Sequence, residues 1–253
     1  MQRSRKQDFG GENALGKPRS FSFRKWFWAL IGLCLLIALL QLSAVFVEVA
    51  WLSTKNPTTS AFIQNYLTHC VTNGSPCPFE QQWKPLSEIS KNLQEAVLIG
   101  EDDAFFEHEG IDTEAIKESI ELNLKKKRFV RGGSTLTQQL AKNLYLSPSK
   151  NPYRKLKEIL IALFMEKMLT KQRILELYLN LIEWGKGIYG AEAASQFYFK
   201  KPASELSAEE AAYLSAIIPN PELLTSPEHS RRALRRKSII LKRMQSRSYE
   251  ELR

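Results

Sequence analysis

The chain has 253 residues, a formal net charge of +9 and a hydrophobic content of 43%. This length suffices for a membrane anchor and one domain of about 200 residues with its own core, and the composition excludes wholesale disorder. A net positive charge is typical of proteins that bind nucleic acid, an anionic membrane surface or an acidic substrate, so charge alone leaves three classes of partner open.

The first element in chain order is an uncharged apolar run at residues 26–47, WFWALIGLCLLIALLQLSAVFV. At about 1.5 Å per residue it spans roughly 33 Å, enough to cross the hydrocarbon core of a bilayer. Seven Lys and Arg residues against two acids precede it, whereas Lys55 is the first cation after it. This asymmetry predicts a signal-anchor helix, with residues 1–25 as a cytoplasmic tail and the rest outside the cytoplasm. A cleaved signal peptide is the alternative, but the run is longer than a usual signal core.

Residues 48–84 are predicted to be a linker with one short helical piece near residues 61–68. Cys70 and Cys77 flank a turn-rich stretch containing TNGSP. These thiols would pair in an oxidising compartment and stay reduced in a reducing one, so a disulfide is left open. The three histidines are widely spaced, and no zinc site is predicted.

Helical periodicity begins near residue 85 and leads into an acidic cluster, EDDAFFEHEG, at residues 101–110. A carboxylate that ends an apolar helix beside phenylalanines loses part of its solvent, which suits it to take or give a proton. Glu101 is the best placed for this role. The alternative is a solvated acidic loop without chemistry.

The next stretch pairs an amphipathic helix, TEAIKESIELNLKKK, with the polar segment RGGSTLTQQLAKN at residues 131–143. Two glycines allow close backbone approach, and the hydroxyl, amide and cationic groups suit a sugar carrying a phosphate. The segment also reads as a plain capped helix start with Ser134 as N-cap.

A long apolar helix broken near Thr170 carries Arg154 and Glu158 at i, i+4 spacing. The pair is either a surface ion pair or part of a site, since Glu158 and Glu166 share a face of an otherwise apolar helix. Three glycines after residue 181 predict an irregular loop, and Ser207 with Glu210 predicts a capping box. Strand-like alternation is nearly absent, which predicts a mainly α domain at residues 85–230 and a basic C-terminal helix at 231–253.

Five stretches in this order resemble the motifs of the peptidoglycan glycosyltransferase family (glycosyltransferase family 51). They are EDDAFFEHEGID, RGGSTLTQQLAKNLYL, RKLKEILIALFMEKMLTKQRILELYLN, GIYGAEAASQFYF and AAYLSAIIPNP. The resemblance covers about residues 85–225 and is closest to the monofunctional biosynthetic form. It implies a lysozyme-like, mainly α domain on one transmembrane helix, which polymerises lipid II into β-1,4-linked glycan strands and releases undecaprenyl diphosphate.

Motif matching implies that Glu101 is the catalytic base and that Glu158 is a second catalytic residue whose role is left open. The residues implied to contact substrate are Asp102, Phe105, His108, Arg131, Gly133, Ser134, Thr135, Gln138, Gln139, Lys142, Asn143, Arg154, Lys155 and Asn180.

The resemblance also implies surroundings and partners. A divalent cation, Mg²⁺ or Mn²⁺, is a candidate cofactor without assigned ligands. The expected partners are lipid II, the growing glycan strand, membrane lipids and other cell-wall synthesis or division proteins, at the bacterial inner membrane with a periplasmic catalytic domain. Nucleic acid is not expected. The first motif departs from the family at Asp103, Ala104 and Phe106, so the fine acceptor contacts are expected to differ.

Two other functions stay open from the residues alone. A lysozyme-like peptidoglycan hydrolase would share the catalytic glutamate, although it does not explain cations suited to pyrophosphate. A noncatalytic scaffold of a cell-wall complex would keep the fold without turnover.

Overall fold

The computed structural model describes residues 23–128, 132–148, 151–220 and 227–251. Within these ranges the chain forms ten α-helices and three short strands, so the predicted mainly α architecture is confirmed. The helices are α1 Phe23–Trp51, α2 Ala61–Thr72, α3 Lys91–Glu101, α4 Thr113–Lys126, α5 Leu136–Tyr145, α6 Pro152–Met168, α7 Lys171–Leu181, α8 Ala191–Phe199, α9 Ala208–Ile217 and α10 Pro227–Glu251. The strands are β1 Glu80–Gln81, β2 Glu183–Gly185 and β3 Ile188–Tyr189.

Helix α1 contains the apolar run that the sequence predicted at 26–47. It is long and apolar enough to span a membrane, with a mean hydropathy of 2.7 over its most apolar window. The chain divides into two compact units, Met1–Ser43 and Ala44–Arg253, and α1 passes from one to the other. The predicted tail at 1–25 lies almost wholly outside the described residues.

The second unit is built on helix packing around α3, α5 and α9. Helix α3 packs against α9 and α10, and α5 packs against α6 and α7. Most of the largest fully buried side chains come from these helices, the segment that follows α3 and the β2 strand. They include Trp184, Tyr178, Phe105, Leu93, Leu136, Leu140, Met165 and Ile174.

The segment at 48–84, predicted as a linker, contains helix α2 and strand β1. Ser60 caps α2 by accepting from the Ile63 backbone N–H, and the Ile63 side chain is buried. Strand β1 pairs in parallel with β3, which also pairs antiparallel with β2. This small sheet replaces the irregular glycine loop that the sequence predicted after residue 181. Cys70 and Cys77 are free thiols, and interaction with Cys70 raises the pKa of the Cys77 thiol.

Local capping explains where the helices near the site begin. Thr135, and not Ser134, is the N-cap of α5, because its hydroxyl accepts from the Gln138 N–H at 3.2 Å. The predicted break near Thr170 is confirmed, since Thr170 caps the start of α7. The predicted capping box of Ser207 and Glu210 at α9 is also present.

Helix α10 lies against α3 and α9 through an apolar face. Ile240 and Met244, one turn apart, are 2% and 3% exposed. The basic residues of this helix therefore flank a buried stripe, and some of them reach the C-terminal end of α3.

Candidate active site

A cleft of 820 Å³ opens where α3 ends and α4 and α5 begin. Its walls come from the acidic stretch after α3, from Gly132 to Thr135, and from α10. Six of the predicted site residues that line it carry donor or acceptor side chains, and they are Glu101, Asp102, His108, Ser134, Thr135 and Gln139. Two segments that lie far apart in the sequence therefore form one concave surface.

Glu101 is the last residue of α3, and its side chain is 8% exposed. Its Oε2 accepts from Gln139 Nε2 at 2.9 Å, and its Oε1 accepts from Arg236 Nη2 at 2.6 Å. Tyr178 donates to Gln139 Oε1 at 3.1 Å, which orients the amide so that its nitrogen faces Glu101. Burial raises the pKa of Tyr178 well above its usual value, so its hydroxyl remains a neutral donor.

Gly100 allows α9 and α10 to approach the end of α3. A Cβ at this position would lie 2.3 Å from Ser215 Oγ and 3.2 Å from Ile240 Cδ1. The Ser215 hydroxyl donates to Ala96 O at 2.7 Å, so it is fixed in place. A larger residue at 100 would push α9 or α10 away from Glu101.

Asp102 lines the cleft and also holds the loop after α3 in place through hydrogen bonds. Its carboxylate accepts from His108 Nε2 at 3.0 Å and from the Leu136 N–H at 2.7 Å. His108 Nδ1 in turn accepts from the Gly110 N–H at 3.1 Å, which makes Nε2 the protonated nitrogen in this arrangement. Asp102 thus ties the first predicted motif to the start of α5.

The Gly133 backbone approaches helix α4 closely. A Cβ at Gly133 would lie 2.9 Å from Ile116 Cα, so the glycine is needed here for the loop to pack against α4. Thr135 donates to Gly110 O at 2.8 Å, and Ser134 stays exposed at the cleft. Arg131, which was predicted as a cation of this segment, lies outside the described residues.

Glu158 lies on α6 with its side chain 4% exposed, and both of its oxygens accept from cations. Arg154 donates to Oε2 at 2.8 Å and Lys155 donates to Oε1 at 2.5 Å. Lys155 also donates to Ser134 Oγ at 2.9 Å and to Gln138 Oε1 at 3.1 Å. This set connects the second and third predicted motifs.

Lys142 is the most unusual cation near the cleft. Burial lowers the pKa of its ammonium, which neighbouring Arg154 and Lys155 lower further and Glu158 partly opposes. Its nitrogen lies 5.6 Å from the centre of the Phe62 ring. In the part of the chain that the structure describes, no carboxylate or carbonyl pairs with it directly. A desolvated cation beside two others is a strong position for binding an anion.

Phe105 is fully buried and belongs to the core, not to the cleft surface. The Lys171 ammonium lies 4.4 Å from its ring centre, donates to His108 O at 2.6 Å and pairs with Glu166 at 2.9 Å. Thr137 donates to Glu166 Oε1 at 2.5 Å. Glu166 therefore helps to fix the His108 loop, a role that its place on the same helix face as Glu158 did not reveal.

Two predicted contacts lie in other surroundings. Asn143 donates to Gln139 O at 2.9 Å along its own helix. Asn180 is fully buried and bridges α7 to the segment after β1, donating to Lys84 O and accepting from the Lys84 N–H, both at 2.8 Å. It is not among the residues that line the cleft. Its contact with substrate stays a prediction.

Arg236 is a candidate site residue that the sequence analysis did not predict. It was read only as part of a basic C-terminal stretch, yet it donates to Gly100 O at 2.7 Å as well as to Glu101. Arg236 shares a helical face with the buried Ile240 and Met244 at i+4 and i+8. That amphipathic pattern was the signal that this arginine faces the domain.

Comparisons with known proteins identify the family. A family model described as Transglycosylase matches residues 71–245. A biosynthetic peptidoglycan transglycosylase of Nitrosospira multiformis is 40% identical over 89% of this chain and 98% of its own length. A protein of the same name from Nitrosomonas eutropha is 43% identical over 90% of this chain and 93% of its own length. Another, from Chromobacterium violaceum, is 45% identical over 78% of this chain and 85% of its own length.

Proposed function

Since this chain belongs to the transglycosylase family and is a peptidoglycan glycosyltransferase with the lysozyme-like fold, we propose that Glu101 is its general base. Glu101 takes the proton of the 4-hydroxyl on the acceptor lipid II. The acceptor oxygen then forms a bond to the anomeric carbon of the growing strand as the bond to undecaprenyl diphosphate breaks. Inversion at that carbon gives a β-1,4 linkage and extends the cell-wall glycan.

The position of Glu101 supports this assignment. Its carboxylate lines the cleft, and Gln139 and Arg236 hold one oxygen each. A carboxylate oxygen has two lone-pair sites, so each oxygen keeps one for an incoming hydroxyl. A base that is held in place before substrate binds avoids the entropy of orienting it during reaction.

The cations beside Glu158 are proposed to bind the pyrophosphate of the leaving group. Negative charge collects on that group as the bond breaks, so fixed cations stabilise the transition state more than the ground state. Lys142, Arg154 and Lys155 form this group around Glu158. Arg131 is a further candidate from the sequence.

Glu158 acts in this proposal by holding Arg154 and Lys155, and not as an acid or base. Both of its oxygens accept from those cations, and its side chain is 4% exposed. Its contacts therefore support the orientation of cations as the role of Glu158, which the sequence left open. Glu101 lines the cleft, whereas Glu158 is not among the residues that line it.

The described residues do not fit a divalent cation held by the protein alone. Both Glu158 oxygens are engaged by cations. Asp102, His108 and Asp112 lie within 4.8 Å of one another, but Asp102 and both nitrogens of His108 are already hydrogen-bonded. No step of the proposed reaction therefore runs through a metal. The need for Mg²⁺ or Mn²⁺ stays a prediction, to be measured as polymerisation before and after chelation.

The domain is proposed to lie outside the cytoplasm, against the outer face of the inner membrane. Helix α1 supplies one span, and the charge asymmetry around it favours a cytoplasmic N-terminus. On α4, Ile120 and Leu124 are 55% and 72% exposed and are followed by Lys125 and Lys126. Such an apolar face with adjacent cations suits anionic lipid headgroups, each cation contributing about 1 kcal/mol.

The deciding experiment supplies purified full-length protein with lipid II in detergent and follows the glycan product by size. Long strands and released undecaprenyl diphosphate are expected. Shortening of preformed strands without polymer would favour a hydrolase. Absence of both, with a cellular role that survives Glu101→Gln, would favour a scaffold that acts through other cell-wall synthesis or division proteins.

A further inference from the structure

We propose that Asp103 and two arginines of α10 form a clamp that positions Arg236 against the carboxylate of Glu101. Asp103 follows Glu101 by two residues, at the same end of α3. Both of its oxygens are engaged by α10: Arg243 pairs with Oδ2, and Arg247 pairs with Oδ1 at 2.5 Å. The inference rests on the proposed role of Glu101 as general base.

The three arginines lie on one face of α10. Positions 236, 243 and 247 are separated by seven and four residues, which brings them to the same side of a helix. Arg236 reaches Glu101 and Gly100 O, and Arg243 also donates to Ile99 O at 3.4 Å. The last carbonyls of a helix lack partners within it, so these arginines cap α3 as well as pairing with acids.

The clamp supplies a directional constraint that apolar packing lacks. Ile240 and Met244 hold α10 against the domain, but hydrophobic contact is non-directional and leaves rotation of the helix about its axis weakly specified. Charge-assisted hydrogen bonds require defined geometry. Because Asp103 is bound by two side chains one turn apart, it fixes the rotation that points Arg236 at Glu101.

The exposure of the clamp predicts a small contribution to stability. The side chains of Asp103, Arg243 and Arg247 are 34%, 46% and 40% exposed. Water screens such pairs, and exposed salt bridges contribute little to folding. The clamp is therefore a positioning device.

The test measures kcat and KM for lipid II with full-length Asp103→Asn in detergent. We expect kcat to fall about three- to tenfold while KM stays within about twofold, because the base is misplaced and the binding groups are intact. Asp103→Glu, which keeps the charge, should retain at least half of the wild-type kcat. Arg247→Gln, which removes one of the two bonds, should lower kcat less than Asp103→Asn.

A matched control lies on the same helix. Glu209→Gln removes the bridge from Glu209 to Lys237 of α10, which measures 3.6 Å and lies away from the cleft. Its kcat should equal that of the wild type. If the control lowers kcat as much as Asp103→Asn does, or if Asp103→Asn leaves kcat unchanged, the clamp is overturned.

A double-mutant cycle tests whether the clamp acts through Arg236. In an Arg236→Gln background, Asp103→Asn should produce less than about a twofold further loss of kcat, since the side chain that it positions is gone. Additive losses overturn the proposal. Glu101→Gln is measured in the same series. If that variant keeps its activity, Glu101 is not the base. If Glu101→Gln is inactive while Asp103→Asn has normal activity, only the clamp is refuted.

Discussion

The side chains of Glu101 and Glu158 are both largely shielded from solvent, at 8% and 4% exposed, yet their partners differ. Glu101 ends a helix at the cleft and is held by one cation and one neutral amide. Glu158 lies within α6, away from the cleft lining, and each of its oxygens accepts from a cation. Burial alone therefore does not distinguish a base from an organising residue.

Position relative to the cleft carries the distinction, because Glu101 lines the cleft and Glu158 does not. A carboxylate that faces open space with spare lone pairs is able to receive a proton from a ligand. A carboxylate enclosed by two cations keeps those cations in place and offsets their mutual repulsion. The cations around Glu158 are thereby presented together to a polyanionic ligand.

The largest expected effect is on turnover by Glu101→Gln. Glutamine keeps the shape but is not a base, so we expect kcat for lipid II polymerisation to fall at least about 10²- to 10⁴-fold. Thermal unfolding of the same sample checks that the domain is folded. Activity within tenfold of the wild type would contradict the contrast between the two glutamates.

Glu158→Gln is expected to affect stability as well as activity. Loss of this carboxylate removes the ion-pair partner that Arg154 and Lys155 share, but their 19% and 40% exposure moderates the penalty. We expect a loss of about 2 kcal/mol, or a melting temperature lower by about 4–8 °C. Differential scanning calorimetry measures it. A normal melting temperature with a complete loss of turnover would instead indicate direct chemistry by Glu158.

Lys142→Met separates binding of the leaving group from folding. The ammonium is desolvated without a direct partner among the described residues, so its replacement removes an anion contact without breaking a salt bridge. We expect inhibition by inorganic pyrophosphate to weaken about tenfold, while stability is unchanged or slightly higher. Lys157→Met, at a cation that stacks on Tyr153 on the exposed side of α6, is the control and should leave inhibition unchanged.

The smallest expected effect is a pH dependence of stability that Lys142 causes. Burial lowers its pKa below 10.5, so the folded protein releases this proton at a lower pH than the unfolded chain does. Between the two pKa values the unfolded chain binds more protons, and the contribution to stability rises with pH. We expect the free energy of unfolding of the wild type to rise relative to that of Lys142→Met between neutral pH and about pH 10, as measured by denaturant unfolding. A difference in unfolding free energy that does not change with pH would contradict this prediction.

Much of the fold was predictable because its signals are local. The Ser207 capping box, the break at Thr170 and the apolar run of α1 depend on neighbouring residues, and each has its expected structure. The small sheet was not predicted, since β1 and β3 lie more than 100 residues apart and are two residues long. Such short strands carry no alternation to detect.

The site was predictable only to the extent that it follows ordered motifs. These gave Glu101, Glu158, Gln139 and Lys155, which the structure brings into two connected groups. They did not give Arg236, because a basic C-terminal helix fits a membrane surface equally well. The motifs also did not show that Asn180 is buried against Lys84 and does not line the cleft.

By itself, the sequence determined the mainly α fold, the apolar anchor helix and the family, since these follow from periodicity, composition and the order of motifs. Only the tertiary structure decided which carboxylate faces the cleft, which one holds cations, and that α10 reaches the end of α3. Hydrogen bonds and ion pairs form between atoms about 3 Å apart, and sequence spacing does not specify that distance for residues 135 positions apart, as Glu101 and Arg236 are.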